Sequence, residues 1–132
     1  MMINIKLENN CSEKRGFCVN CASEFMKIRP LLTGVIVSKH FVRDLERNEE
    51  EVNSIIVGVL DCSNLEFTEL HKFEENINGN LIFRAKKDGT HIVYCVDKTM
   101  KISFLRAFKN FNEYKKFLED KKGITRIIKR LS

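Results

Sequence analysis

The sequence has a single proline, Pro30, and no apolar run approaching the roughly 20 residues that cross a bilayer. Its opening stretch, MMINIKLENN, lacks the charged-then-apolar pattern of a secretory signal. It also lacks an internal repeat, a low-complexity linker and a second composition zone that would mark another domain. These absences exclude a membrane-spanning helix and lead to the expectation of a soluble, cytoplasmic chain with no membrane partner. The 132 residues, 43% of them hydrophobic, suffice for one domain with a real core. Residues 31–132 are expected to form that domain, behind a cysteine-containing extension over residues 1–30.

The net charge is +5. Residues 83–132 hold 14 Lys/Arg against 5 Asp/Glu, whereas residues 1–82 hold 9 against 13. Such asymmetry points the C-terminal part toward a polyanion. A Lys-rich helix that merely keeps the chain soluble is the competing reading.

Five cysteines are an odd number, which argues against a complete disulfide framework in a cytosolic setting. Three of them, Cys11, Cys18 and Cys21, fall within eleven residues, and the two residues between Cys18 and Cys21 let both thiolates grip one metal from a tight turn. A structural zinc is the functional reading, with an iron–sulfur cluster behind it. The fourth ligand would come from Cys62, Cys95, His40, His71 or His91, and reduced thiols or a disulfide-closed loop are the alternatives.

The densest structural signal is LIFRAKKDGTHIVYCVDKTMKISFLRAFKNFNEY, residues 81–114. β-Branched and aromatic residues alternate through three short runs separated by Asp88-Gly89 and by Asp97-Lys98-Thr99, the pattern of a three-stranded meander. Period-two alternation would bury one side-chain set of each strand and leave the other outside. Arg84, Lys86, Lys87, His91, Arg106 and Lys109 lie on or just past these strands and are expected to be presented outward.

Before the meander, residues 1–7 suggest a short strand, and residues 23–28 a capped helical turn stopped at Arg29-Pro30. Residues 31–37, LLTGVIV, fit a strand buried on both faces. Ser38 then caps a helix with an apolar stripe at Phe41 and Leu45, and Glu49-Glu50-Glu51 opens a second helix through Val52, Ile55, Ile56, Val59 and Leu60. Residues 61–64 break the pattern, residues 65–73 are ambiguous among loop, strand and short helix, and residues 74–80 suggest a polar turn. After the meander, Asn112 is a candidate cap for a helix ended by Gly123, with a further basic amphipathic turn or two over residues 124–131.

This order, with SKHFVRDLE at 38–46, LIFRAKKDG at 81–89, THIVYCVD at 90–97 and KISFLRAFKN at 101–110, resembles the RelE/ParE toxin superfamily. The resemblance covers about residues 31–122. It implies an α+β fold: a small twisted antiparallel sheet with two N-terminal helices packed on it and a basic C-terminal helix. It further implies a ribosome-dependent endoribonuclease that cuts mRNA, with RNA and the ribosome as partners and a small protein antitoxin covering the basic sheet. By that likeness Arg84, His91, Arg106 and Tyr114 would be catalytic, with Lys86, Lys87 and Lys109 binding RNA. His91 stands where many members carry arginine, and the cysteine segment lies outside the resemblance.

Cleavage by 2′-hydroxyl attack needs a base, charge stabilisation at the phosphorane and a proton for the 5′-oxygen. Arginines can supply the second, and His91 or Tyr114 the proton transfers, with no cofactor required. Two other readings stand beside it: a non-catalytic protein on a toxin-like fold that binds the ribosome or another nucleic-acid machine, and a ParE-like gyrase poison.

Overall fold

The computed structural model describes residues 2–3, 31–60 and 67–131, with side chains described over residues 31–60 and 74–131. The cysteines Cys11, Cys18, Cys21 and Cys62, the side chain of His71, the turn expected at 23–28 and the break at 61–64 lie outside the described residues.

The fold is α+β. Its strands are β1 (Met2–Ile3), β2 (Gly34–Val37), β3 (Phe67–Ile77), β4 (Asn80–Lys87), β5 (Thr90–Val96) and β6 (Lys101–Phe108). They form one sheet in the order β1-β2-β6-β5-β4-β3. Among the described residues four helices accompany it: α1 (Lys39–Asp44), α2 (Glu49–Leu60), α3 (Phe111–Glu119) and α4 (Lys121–Arg130). None of them is long and apolar enough to cross a membrane.

The turns follow from local chemistry. Asn78-Gly79 and Asp88-Gly89 have positive φ at both central residues, which residues with short polar side chains and glycine tolerate best, and so they close tight hairpins between β3 and β4 and between β4 and β5. Between β5 and β6 the Asp97 carboxylate accepts from the Thr99 N–H at 2.8 Å, the Thr99 hydroxyl at 2.7 Å and the Lys101 N–H at 3.0 Å. Burial pushes the Asp97 carboxyl up, but these hydrogen bonds and the nearby Lys101 charge outweigh it and hold it below the usual value.

Three sequence expectations about the sheet need correction. It is mixed, because β2 runs parallel to β6, pairing Gly34 with Lys101 and Val37 with Phe104, while the other pairs are antiparallel. A helical crossover through α1 and α2 carries the chain from β2 toward the far edge, and β6 returns beside β2. The expected polar turn at 74–80 is also mostly strand: β3 continues to Ile77, and only Asn78 and Gly79 turn. The strand predicted at 31–37 begins at Gly34, and Leu31 is exposed.

The largest departure concerns what covers the sheet. On one face, α1 and α2 pack Phe41, Leu45, Val52, Ile56 and Val59 against Phe83, Ile92, Tyr94 and Phe104. On the other, α3 and α4 pack Tyr114, Phe117 and Ile124 against Ile82, Val93, Leu105 and Phe108. The meander is therefore the filling of a three-layer sandwich, and all seven residues of β5 are buried. Period-two alternation identified the strands, but the face expected to look outward is closed by the C-terminal helices.

Those helices are capped differently from the sequence expectation. Asn110, not Asn112, caps α3, its side chain accepting from the Glu113 N–H at 3.1 Å. Gly123 does not end a helix but sits in the first turn of α4, where its N–H donates to the Asp120 carboxylate at 3.0 Å. A Cβ at position 123 would collide with that carboxylate, so glycine there is a demand of packing. Asp120 closes α3 and caps α4 within one residue, which folds the two short helices into a single basic layer.

Candidate nucleic-acid interface

The sequence places the candidate site on the strand cations. In register, Arg84 lies opposite Val93 and Val93 opposite Arg106, while Lys86 lies opposite His91 and His91 opposite Phe108. The register of β5 against β6 slips after Val93, so that Tyr94 faces Phe104 and Leu105 is the extra residue of a bulge. Arg84, His91 and Tyr114 do meet, on the face covered by α3. The His91 and Tyr114 rings stack at 4.6 Å with planes 12° apart, and the Arg84 guanidinium lies 5.7 Å from the Tyr114 ring centre.

The cluster is closed. Arg84 Nε lies 2.9 Å from Glu74 Oε1, and only 13% of the Arg84 side chain is exposed. The Tyr114 hydroxyl donates to the same carboxylate oxygen at 3.5 Å. His91 and Tyr114 are buried, and Phe111 leans on both rings. Arginine held by carboxylate inside an aromatic stack serves as a clamp between β4 and α3. A ribose–phosphate strand reaching Arg84 would have to displace Glu74 and lift the helix.

Arg106 is engaged differently. Its Nε and Nη2 donate to the two Asp44 oxygens at 2.6 and 3.1 Å, and the Ala107 N–H donates to Asp44 Oδ2 at 2.9 Å. β2 is too short to pair with the last half of β6, and Asp44 at the end of α1 satisfies the ladder there instead. The guanidinium also lies over Phe108 at 4.6 Å and Phe117 at 5.6 Å. Removing Asp44 strands the Ala107 N–H and a half-buried guanidinium together. Asp44→Ala is accordingly expected to destabilise the fold by about 2–3 kcal/mol, read as a lower urea midpoint at unchanged slope.

Of the residues expected to bind RNA, Lys86 and Lys87 are half-buried, and Lys87 Nζ donates to Ser54 Oγ of α2 at 3.0 Å. Lys109 is exposed just before α3. Of the candidate fourth metal ligands, Cys95 is buried on the α3–α4 face, where burial first and then Asp97 push its thiol up to about 12, against a hydrogen bond with Ser103. His91 is inside the aromatic stack. Among the described residues no group of three or more His, Cys, Asp or Glu side chains is placed to hold a metal.

The open cationic surface lies elsewhere. Lys109, Lys115, Lys116, Lys121, Lys122, Arg126, Lys129 and Arg130 are all exposed along the α3–α4 layer, against the exposed acids Glu113, Glu119 and Asp120. One turn of this layer borders a cleft of about 350 Å³ lined by His40, Arg106, Phe117, Asp120, Arg126 and Arg130. α1 contributes the imidazole, β6 one guanidinium and α4 two more.

His40 reports the cleft's electrostatics. Its pKa is lowered by burial first and then by Arg106, Arg43 and Lys39, with Asp44 opposing. The imidazole is therefore neutral at neutral pH, beside guanidinium groups that favour an anion. The linkage has a definite sign. A depressed histidine binds fewer protons folded than unfolded, so its contribution to stability is complete above the unfolded value of about 6.5 and is lost as pH falls toward the folded value. Melting scans in that window should show a steeper pH dependence for the native chain than for His40→Gln.

Sequence reasoning missed this cleft because His40 and Arg126 are distant in the chain, and because residues 124–131 read only as a basic amphipathic turn or two. The available signal was the +/− asymmetry itself, which points at the C-terminal fifty residues without saying which surface carries them. No family model, curated protein or solved structure matches the chain.

Proposed function

We propose that this protein binds RNA through the basic α3–α4 layer and the cleft beside His40, where Arg126 and Arg130 hold the strand by its phosphates without cutting it. The reading is that of a binding protein for the ribosome or another RNA-containing machine. What carries it is where the cations lie: the strand guanidiniums, Arg84 and Arg106, are drawn in against Glu74 and Asp44, while the cations of the C-terminal helices, Lys121 with its 3.2 Å bridge to Glu75 among them, are exposed together. Phosphate contacts give affinity that depends on salt and little on sequence, and a line of lysines and arginines suits that task.

The likeness to RelE/ParE toxins enters as the finer reading of the α+β fold. Two helices packed on one face before the meander agree with it; the parallel β2–β6 pair and the second helical layer depart from it. Ribosome-dependent mRNA cleavage in the RelE manner requires strand cations open to a phosphate, and a covering antitoxin requires an open sheet face. The chain's own α3 and α4 occupy that face, so the geometry supports binding better than cleavage.

The test is binding of a labelled RNA over a salt series, with the same RNA run on a denaturing gel afterwards. Affinity falling linearly in log–log form with intact RNA supports the proposal. Absence of binding at 50 mM salt would overturn it. Cleavage that disappears in His40→Gln would convert the cleft into a nuclease site.

A further inference from the structure

Phe111 is the first residue of α3 and is 56% exposed, the one large aromatic among the described residues left so open. A lone exposed apolar side chain is ordinary by itself. Its surroundings are not. Its ring sits 5.6 Å from the His91 ring and 6.0 Å from the Tyr114 ring, both buried, so it rests on a packed aromatic base. The Asn110 cap fixes the helix turn that carries it. Exposed Lys109 precedes it by two residues, and exposed Lys115 follows one helical turn later on the same face.

A protein partner would need a contiguous apolar patch. The other large hydrophobics exposed among the described residues are Leu31, before β2, and Val57, on α2 across the sheet, so Phe111 stands alone among cations. A backed aromatic ring flanked by ammonium groups matches one unpaired nucleobase: the base stacks while its phosphates meet lysine. Bases within a duplex are stacked on each other and offer no free face.

Resting on the RNA-binding reading above, we infer that Phe111 is a base-stacking platform, and that the ligand of the basic layer is single-stranded RNA. Phe111 lies at one end of α3 and Phe117, which lines the cleft, lies near the other, about 9 Å along the helix axis. A strand lying along α3 meets the stacking ring and the arginine cleft in turn.

The chain contains no tryptophan, so Phe111→Trp introduces a unique fluorophore. Its emission is expected to be quenched by an unstructured 12-nucleotide RNA and left unchanged by a duplex of equal charge. Phe111→Ala should weaken single-strand binding roughly 5- to 150-fold, leave duplex binding and the salt slope as they were, and be restored by Phe111→Tyr but not by Phe111→Leu. Melting curves of each variant establish that the fold is intact. Wild-type single-strand affinity in Phe111→Ala, or an indifferent tryptophan at saturating RNA, overturns the inference while leaving the salt-dependent binding in place. Failure of the native chain to bind either RNA overturns the underlying reading instead.

Discussion

Replacing Arg126 and Arg130 together by glutamine should lower affinity for single-stranded RNA about 25-fold at 0.1 M salt. The size follows from counterion release, in which each phosphate contact on a single strand contributes about 0.7 to the slope of log K against log salt. Two lost contacts reduce that slope by about 1.4, and over the decade from 1 M to 0.1 M salt this becomes about 1.4 units of log K. The measurement is the slope, taken by titration at four or more salt concentrations. Both side chains line the cleft and both residues are exposed on α4, so the substitutions should leave thermal stability nearly unchanged. An unchanged slope with the same folded spectrum would remove the cleft from the binding surface. Arg84→Gln provides the contrast: Arg84 is tied to Glu74 under α3, so its loss should lower stability while the salt slope stays the same.

Phe104→Ala should be the most damaging single change to the fold, at about 4 kcal/mol. The ring is fully buried in β6, 5.4 Å from Phe41 of α1 and 5.7 Å from Tyr94 of β5, so three elements meet on it. Its backbone carbonyl also receives the Ser38 N–H at 3.0 Å, which starts α1 from the end of β2. A cavity at that junction cannot collapse without moving the parallel pair. Domains of this size hold about 5–15 kcal/mol in total, so a loss of 4 leaves little margin. The corresponding fall in melting temperature is on the order of 15 °C, and Phe111→Ala, at an exposed position, should show almost none of it.

How far the sequence reached depended on the range of the interactions involved. The meander was legible because strands and turns are local: Asp88-Gly89 sits between alternating runs, and backbone conformation at those two residues decides the hairpin. Ser38 as a helix cap was equally local, its hydroxyl oxygen accepting from the His40 N–H two residues on. β3 escaped because its last residues, Glu74 to Ile77, are polar enough to resemble a turn, and because an edge strand with register shifts has no strict period. The second helical layer was hidden for another reason. Alternation assigns one face to solvent by default, yet Ile92 to Val96 are five apolar residues in succession, which is the mark of a strand covered on both sides.

The carboxylates that close the strand cations were beyond sequence reasoning altogether. Asp44 and Arg106 are 62 residues apart, and nothing within its own helix sets Asp44 apart from a solvated acid. Nothing local distinguishes an arginine awaiting phosphate from one already held by a distant aspartate. Of the four residues singled out on the resemblance, Arg84, His91 and Tyr114 lie together beneath α3 and Arg106 lies apart at Asp44, an arrangement set by side chains from distant segments.

The parallel contact between β2 and β6 has a consequence for the order in which the molecule can be completed. Gly34 finds its ladder partner only when Lys101 exists, and at typical translation speeds of about 5–20 residues per second that leaves β2 waiting roughly 3–13 s. Through most of the interval α1 and α2 carry apolar stripes with the sheet incomplete, since Phe83, Ile92 and Tyr94 come late in it and Phe104 after it. Nascent chains released before residue 104 should therefore aggregate or recruit a chaperone, whereas chains extended past β6 should become protease-resistant in one step.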